Sequence, residues 1–160
     1  MGSVDITTLE GIMIRERLAG LKRATAARVA KQINRDIRKK ENGEQNRCPF
    51  LQKNDRCMIY TSRPFSCRQL YSLKQCGDQG PTIHRQSVEF AKNAVAMIQA
   101  IDDTGYSGHL SYILHMLGSE KFLAVYRAGG FKPEEVMVFG KSHKIVINRM
   151  VGLKGDQVAD

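Results

Sequence analysis

The chain has 160 residues, 42% of them hydrophobic and none of them Trp, a composition of soluble globular proteins with a modest core that excludes a disordered chain. Its 25 basic and 16 acidic residues give a formal net charge of +9, which favours nucleic acid, an anionic membrane or an acidic protein as partner without choosing among them. Apolar runs such as residues 94–98 are too short to span a bilayer, and residues 1–5 carry neither a basic start nor a following apolar stretch. A cytoplasmic protein with no membrane span is therefore expected.

From residue 5 to about 40 the sequence reads as helix. Thr7 and Glu10 have capping-box spacing. Leu9, Met13, Leu18, Leu21, Val29, Ile33 and Ile37 recur at roughly helical intervals, with Thr25 as a mildly polar break. Gly11 weakens the pattern, and Gly20 divides it into two helices. Ten basic residues between Arg15 and Lys40 take much of the remaining surface, and the turn-forming residues 41–44 end the stretch.

Residues 47–80 show no sustained period of either kind and contain Pro49, Pro64, Gly77, Gly80 and every cysteine. A loop of that length inside a compact domain needs something other than backbone pairing to hold its shape. A bound metal supplies it.

Helical pattern returns after Pro81. Val88, Ala91, Val95, Ile98 and Ile101 mark one face of a helix running to about residue 102, and residues 103–108 read as a turn. A shorter helix from His109 to about Leu117 follows, then another from Ser119 to Arg127, closed by Gly129 and Gly130. Residues 136–139 and 145–147 read as short strands around 140–143, a small C-terminal β-hairpin. The fold expected is mostly α, with helices flanking an irregular, metal-bound cysteine segment. In domain terms, residues 1–44 form a basic helical extension, 45–150 a cysteine-cluster metal-binding domain with the C-terminal helices, and 151–160 a frayed tail.

Cys48, Cys57, Cys67 and Cys76 are separated by gaps of eight, nine and eight residues. In a reducing compartment, clustered thiols point to metal ligation before disulfides. Thiolates are soft ligands that favour zinc or iron–sulfur over magnesium or calcium. No C-x2-C knuckle is present, so an ordinary zinc ribbon or finger is excluded. Spacing alone leaves one zinc ion and a [4Fe–4S] cluster both open.

The words around these cysteines carry a resemblance. Cys48-Pro49-Phe50-Leu51, Cys57-Met58-Ile59-Tyr60 and Arg63-Pro64-Phe65-Ser66-Cys67-Arg68 resemble the YkgJ-type cysteine-cluster proteins, a family described as zinc- or iron-chelating. The resemblance covers about residues 47–76. Members usually carry a second, tighter cysteine group upstream, and residues 1–47 here have no cysteine. The resemblance implies one four-thiolate site on Cys48, Cys57, Cys67 and Cys76, with a [4Fe–4S] cluster as the leading cofactor and zinc as the alternative.

Arg47, Lys53, Arg56, Arg63, Arg68 and Lys74 face only Asp55 within residues 47–76, a surround expected to offset the negative charge of a metal–thiolate group. Pro64 forces Arg63 into an extended conformation and helps turn the chain before Cys67. Phe50, Ile59, Tyr60 and Phe65 are expected to shield the metal from water. Among the histidines, His84 is the best substitute ligand by position, although the start of a helix suits it better as a cap. His109 and His115 stand six apart, off the one-face spacing of a helical metal pair, and His143 reads as a solvated turn residue.

No nucleophile with a base beside it and no suggestive pair of carboxylates is found, so no catalytic activity of its own is assigned to the chain. The leading function is an iron–sulfur protein that transfers electrons or assists a redox enzyme. Its partner is another protein, docked through the basic N-terminal helix. The alternatives are a structural zinc module for protein interaction and a redox- or metal-responsive nucleic-acid binder. The basic helix has no aromatic side chain to stack on bases, which places nucleic acid second.

Overall fold

The computed structural model describes residues 4–44, 46–69 and 83–143. The chain opens with a short strand β1 (Asp5–Thr7), then helices α1 (Thr8–Ala19) and α2 (Arg23–Glu41). The cysteine segment follows, with a 3-10 turn at Tyr60–Ser62 and a single helical turn α3 (Phe65–Arg68). The second half consists of α4 (Arg85–Ile101), strand β2 (Ser107–His109), α5 (Leu110–Leu117), α6 (Glu120–Arg127), a 3-10 turn at Pro133–Glu135 and α7 (Val136–His143). The protein is mostly helical. Among the described residues, no helix is long and apolar enough to cross a membrane.

Local chemistry accounts for the helix ends. Thr7 caps α1 in a reciprocal capping box with Glu10, and Gly20 closes it, so the long N-terminal pattern is two helices. His84, His109 and Ser119 cap α4, α5 and α6, each accepting a backbone N–H two or three residues on.

Helix α5 is apolar nearly all round and is therefore central. Leu110, Tyr112, Ile113, Leu114, Met116 and Leu117 are all buried. Around it pack Ile14 of α1, the inner face of α2 (Val29, Ile33, Ile37), and Phe50 and Ile59 of the cysteine segment, in one continuous cluster. Phe122, Phe131 and Phe139 close the other end with edge-to-face contacts, their centroids 4.9–5.8 Å apart.

Two features bring the chain ends of this core together. Strands β1 and β2 pair antiparallel in the register Asp5↔His109, Ile6↔Gly108 and Thr7↔Ser107. Beside them, the Thr8 hydroxyl donates to the Tyr106 carbonyl at 2.8 Å and accepts from the Tyr106 N–H at 2.7 Å. Residues 5–7, expected as helix, are thus strand, and so is the end of the expected turn at 103–108.

A second correction concerns the C-terminal hairpin. Residues 136–139 lie in α7 and 140–143 continue it, while 145–147 fall outside the described residues. A short apolar run cannot choose its own period. Glu134 and Glu135 just before it place negative charge at the N-terminal end of α7, where the helix dipole favours it. Among the described residues, the two-stranded sheet is β1 with β2.

Gly11 is where α1 and α5 cross. A Cβ there would stand 2.6 Å from Leu117 Cδ1 and 2.8 Å from Ile113 Cγ2. Gly11→Ala is expected to destabilise the fold by about 1–3 kcal/mol through overpacking, read as a lower urea midpoint. Gly20→Ala, where the nearest atom is a carbonyl oxygen at 3.6 Å, is the control and should hold or gain stability. Equal midpoints for the two variants would show that the crossing has room to spare.

Candidate metal centre

Cys48 and Cys57 belong to one tight excursion of the chain. Leu51 bridges Cys57 in antiparallel fashion, the Met58 N–H donates to the Phe50 carbonyl at 2.9 Å, and the Gln52 N–H donates to the Arg56 carbonyl at 2.9 Å. Asp55 turns the excursion with a left-handed φ of 62°, a conformation that Asp tolerates better than most residues. Phe50 and Ile59, on either side, are 1% and 2% exposed and root the excursion in the core.

Cys67 arrives separately, on α3. Arg63 is extended before Pro64, as the steric demand of the proline ring requires, and Pro64 caps the turn that carries Cys67. The turn is tied to the N-terminus. The Phe65 N–H donates to Glu10 Oε1 at 2.8 Å, and the Ser66 hydroxyl donates to the Asp5 carbonyl. Glu10 Oε2 meanwhile accepts from the Thr7 N–H at 2.8 Å and the Thr7 hydroxyl at 3.0 Å. One buried carboxylate therefore caps α1 and positions the cysteine turn.

The three described thiols are half-buried and are electrostatic neighbours of one another. Burial pushes the Cys67 thiol up to about 12, helped by Cys48, Cys57 and Glu10 and partly opposed by Arg63. Burial likewise pushes Cys48 up; the Phe50 and Leu51 amides oppose the shift, while Cys57 and Asp36 add to it. Among the described residues, no three His, Cys, Asp or Glu side chains are already gathered at metal-holding distance. Cys76, the fourth expected ligand, lies outside the described residues.

The charge around the thiols departs from expectation. Arg47 is taken up by Asp55 at the surface, and Lys53 and Arg56 are exposed. Arg68 is exposed and donates to the carbonyls of Arg63 and Thr61 at 2.9 and 3.1 Å. Lys74 lies outside the described residues. Arg63 is the cation that acts on Cys67, and against it stand two buried acids from other elements, Glu10 at Cys67 and Asp36 at Cys48.

Those two carboxylates are the residues that sequence reasoning missed. Asp36 is 2% exposed, accepts from the Ser111 hydroxyl at 2.6 Å and lies 4.0 Å from His109 Nδ1. Its signal was an acid at a buried phase of an apolar stripe, between Ile33 and Ile37. Glu10 is the cap that its spacing from Thr7 predicts, but its second oxygen serves the cysteine turn.

Of the expected shields, Phe50 and Ile59 are buried and Phe65 is half-buried, but Tyr60 is 62% exposed. Its ring lies under the Arg63 guanidinium, 3.9 Å from centroid to Cζ, and holds that side chain in place. His84 is an exposed cap of α4, accepting from the Gln86 N–H at 3.3 Å. His109 caps α5, and His115 is half-buried on the same helix. His143 is not a solvated turn residue: it is half-buried on α7 and stacks on Phe139 with ring centroids 4.0 Å apart.

A metal–thiolate group fits this donor set on two grounds. Soft thiols from two parts of the segment, the excursion of Cys48 and Cys57 and the turn α3, act electrostatically on one another, and Arg63, which acts on Cys67, has a buried Nε without a hydrogen-bond partner. A buried guanidinium N–H that lacks an acceptor is costly, and thiolate sulfur is an acceptor of matching charge.

Residues 10–95 match a family described as "Putative zinc- or iron-chelating domain", designated CxxCxxCC. The chain belongs to the CxxCxxCC family. The match runs from the first turn of α1 into α4 and takes in every cysteine. The tight cysteine pattern that names CxxCxxCC proteins is absent here, since eight or nine residues lie between one cysteine and the next. No curated protein and no solved structure matches the chain.

Removing the shared carboxylate tests how the site is held. Glu10→Ala leaves the Thr7 and Phe65 amides without their acceptor, and is expected to cost about 1.5–3 kcal/mol, the range for hydrogen bonds to a charged group. Cys67 should also react faster with a thiol reagent, while Cys48 and Cys57 change little. Equal acceleration at all three cysteines would mean general loosening of the fold.

Proposed function

We propose that the protein holds a [4Fe–4S] cluster on Cys48, Cys57, Cys67 and Cys76 and works in the cytoplasm as an electron-transfer protein or an accessory to a redox enzyme. The observation that carries this reading is a set of three half-buried thiols that act on one another, two on one excursion and the third on α3, together with the buried, unpartnered Nε of Arg63, which acts on Cys67. Zinc- or iron-chelating family membership supports a metal there and leaves its kind open. When bound, such a cluster supplies one-electron exchange.

The residues around it have distinct tasks. The cysteines ligate as thiolates, so loading at neutral pH displaces the protons that burial holds on Cys48 and Cys67. Phe50 and Ile59 keep water from one side. Arg63 stabilises added negative charge, whereas Glu10 and Asp36 oppose it, so reduction is electrostatically contested.

A structural zinc site is the second reading, and the same buried acids favour it, because they make an anionic site costly to reduce. Composition separates the two. Protein purified without oxygen is expected to be brown, with iron and acid-labile sulfide in about equal amounts. Serine at any of the four cysteines should lower metal content and melting temperature, while His84→Ala, which removes only the cap of α4, should leave metal content unchanged. Colourless protein with stoichiometric zinc would overturn the cluster.

A redox titration then tests the contest of charges. Arg63→Ala should shift the midpoint downward and Asp36→Asn upward, with iron content unchanged in both. Absence of reversible reduction in the wild type would assign the site a structural or sensing role. Unmoved midpoints in both variants would remove these charges from the tuning.

A further inference from the structure

We propose that the outer face of α2 is a docking ridge for an acidic protein surface. Arg28, Lys31, Arg35 and Arg38 are all exposed and follow at intervals of three, four and three residues. That spacing sets them on one ridge, within an arc of roughly 80° and about 15 Å long. Among the described residues, none of the four forms an ion pair. Lys39, beside them, pairs with Glu44 at 3.4 Å. The acids of α2 itself are engaged elsewhere: Asp36 points inward to Ser111, and Glu41 acts on His115 of α5.

An unpaired row of like charges on one helix is self-repelling, and complementary carboxylates relieve it. The neighbouring exposed residues Ala24, Ala27 and Ala30 are small, so a partner surface can approach the helix closely and the long cations can wrap it. Helix α2 carries no aromatic residue for bases to stack on, which favours a carboxylate-bearing protein over single-stranded nucleic acid. The chain's net charge of +9 steers the same encounter from a distance.

The opposite face of α2 buries Val29, Ile33, Asp36 and Ile37, and Asp36 is the electrostatic neighbour of Cys48. The ridge therefore stands back to back with the thiol site, across one helix thickness of about 10 Å. Use of the ridge for electron exchange rests on the function proposed above; docking itself does not.

The test uses the full-length, metal-loaded protein and a dye-labelled helical peptide bearing Glu at i, i+3 and i+4 positions, followed by fluorescence anisotropy. Binding is expected to weaken about tenfold or more when salt rises from about 50 to about 300 mM. Lys31→Glu/Arg35→Glu/Arg38→Glu should weaken it by a further factor of about ten, while Lys92→Glu/Lys121→Glu/Lys141→Glu, with the same change in net charge, should cost less than about threefold. All six positions are exposed, and unchanged melting confirms folding. Equal losses in the two triple variants, or no binding by the wild type, would overturn the ridge. Tighter binding of duplex DNA at the same salt, lost in the same α2 variant, would replace it with a nucleic-acid interface. Metal content is assayed in parallel. A colourless protein that still binds the peptide through α2 keeps the ridge and loses the electron-transfer reading.

Discussion

The Glu10 carboxylate ties together parts of the chain that have no other reason to meet. One oxygen completes the capping box of α1 by accepting from Thr7, and the other takes the N–H of Phe65, at the head of the turn that presents Cys67. Because the group is buried, its acceptors count for more than they would at a surface, and its donors have no water to turn to. The start of α1 and the position of Cys67 are therefore one structural problem.

Charge around the thiols is set by a few buried groups more than by the many basic residues in the segment. Exposed Lys and Arg side chains are screened by solvent, and several already have partners. Arg63 differs because Tyr60 pins it and its Nε is shut off from water. Asp36 differs because Ser111 holds it in the core close to Cys48. A site poised between one such cation and two such anions is sensitive to small changes in either.

What could be read in the sequence was what is decided within one or two helical turns. The capping box at Thr7, the break at Gly20 and the limits of α4, α5 and α6 all follow from side chains acting on backbone a few residues away. The clustering of the cysteines was also legible, because thiols that merely fill a core would be scattered along the apolar positions of the whole chain. Strand β1 was not legible. Three residues carry no period, and their partners lie about a hundred residues downstream. The same holds for Glu10 and Asp36 as neighbours of the thiols, since tertiary packing brings each to a segment remote in sequence. Residues 136–139 failed for a different reason: a run of four apolar residues fits a strand or a helix, and its acidic approach decided for the helix.

The pairing of Thr8 with Tyr106 spans 98 residues of chain, and that of β1 with β2 slightly more. Contacts of such separation close late, because the entropy of the intervening loop opposes them until much else has formed. On a ribosome the effect is sharper. The cysteine segment leaves the exit tunnel before residues 106–111 do, so as it emerges the β-ladder and the Ser111 hydroxyl that steadies Asp36 are not yet in place. For that interval the thiols are soft, reactive and unguarded, open to oxidants and to whichever soft metal arrives first. Faithful loading of this protein is thus a matter of timing during synthesis as well as of affinity.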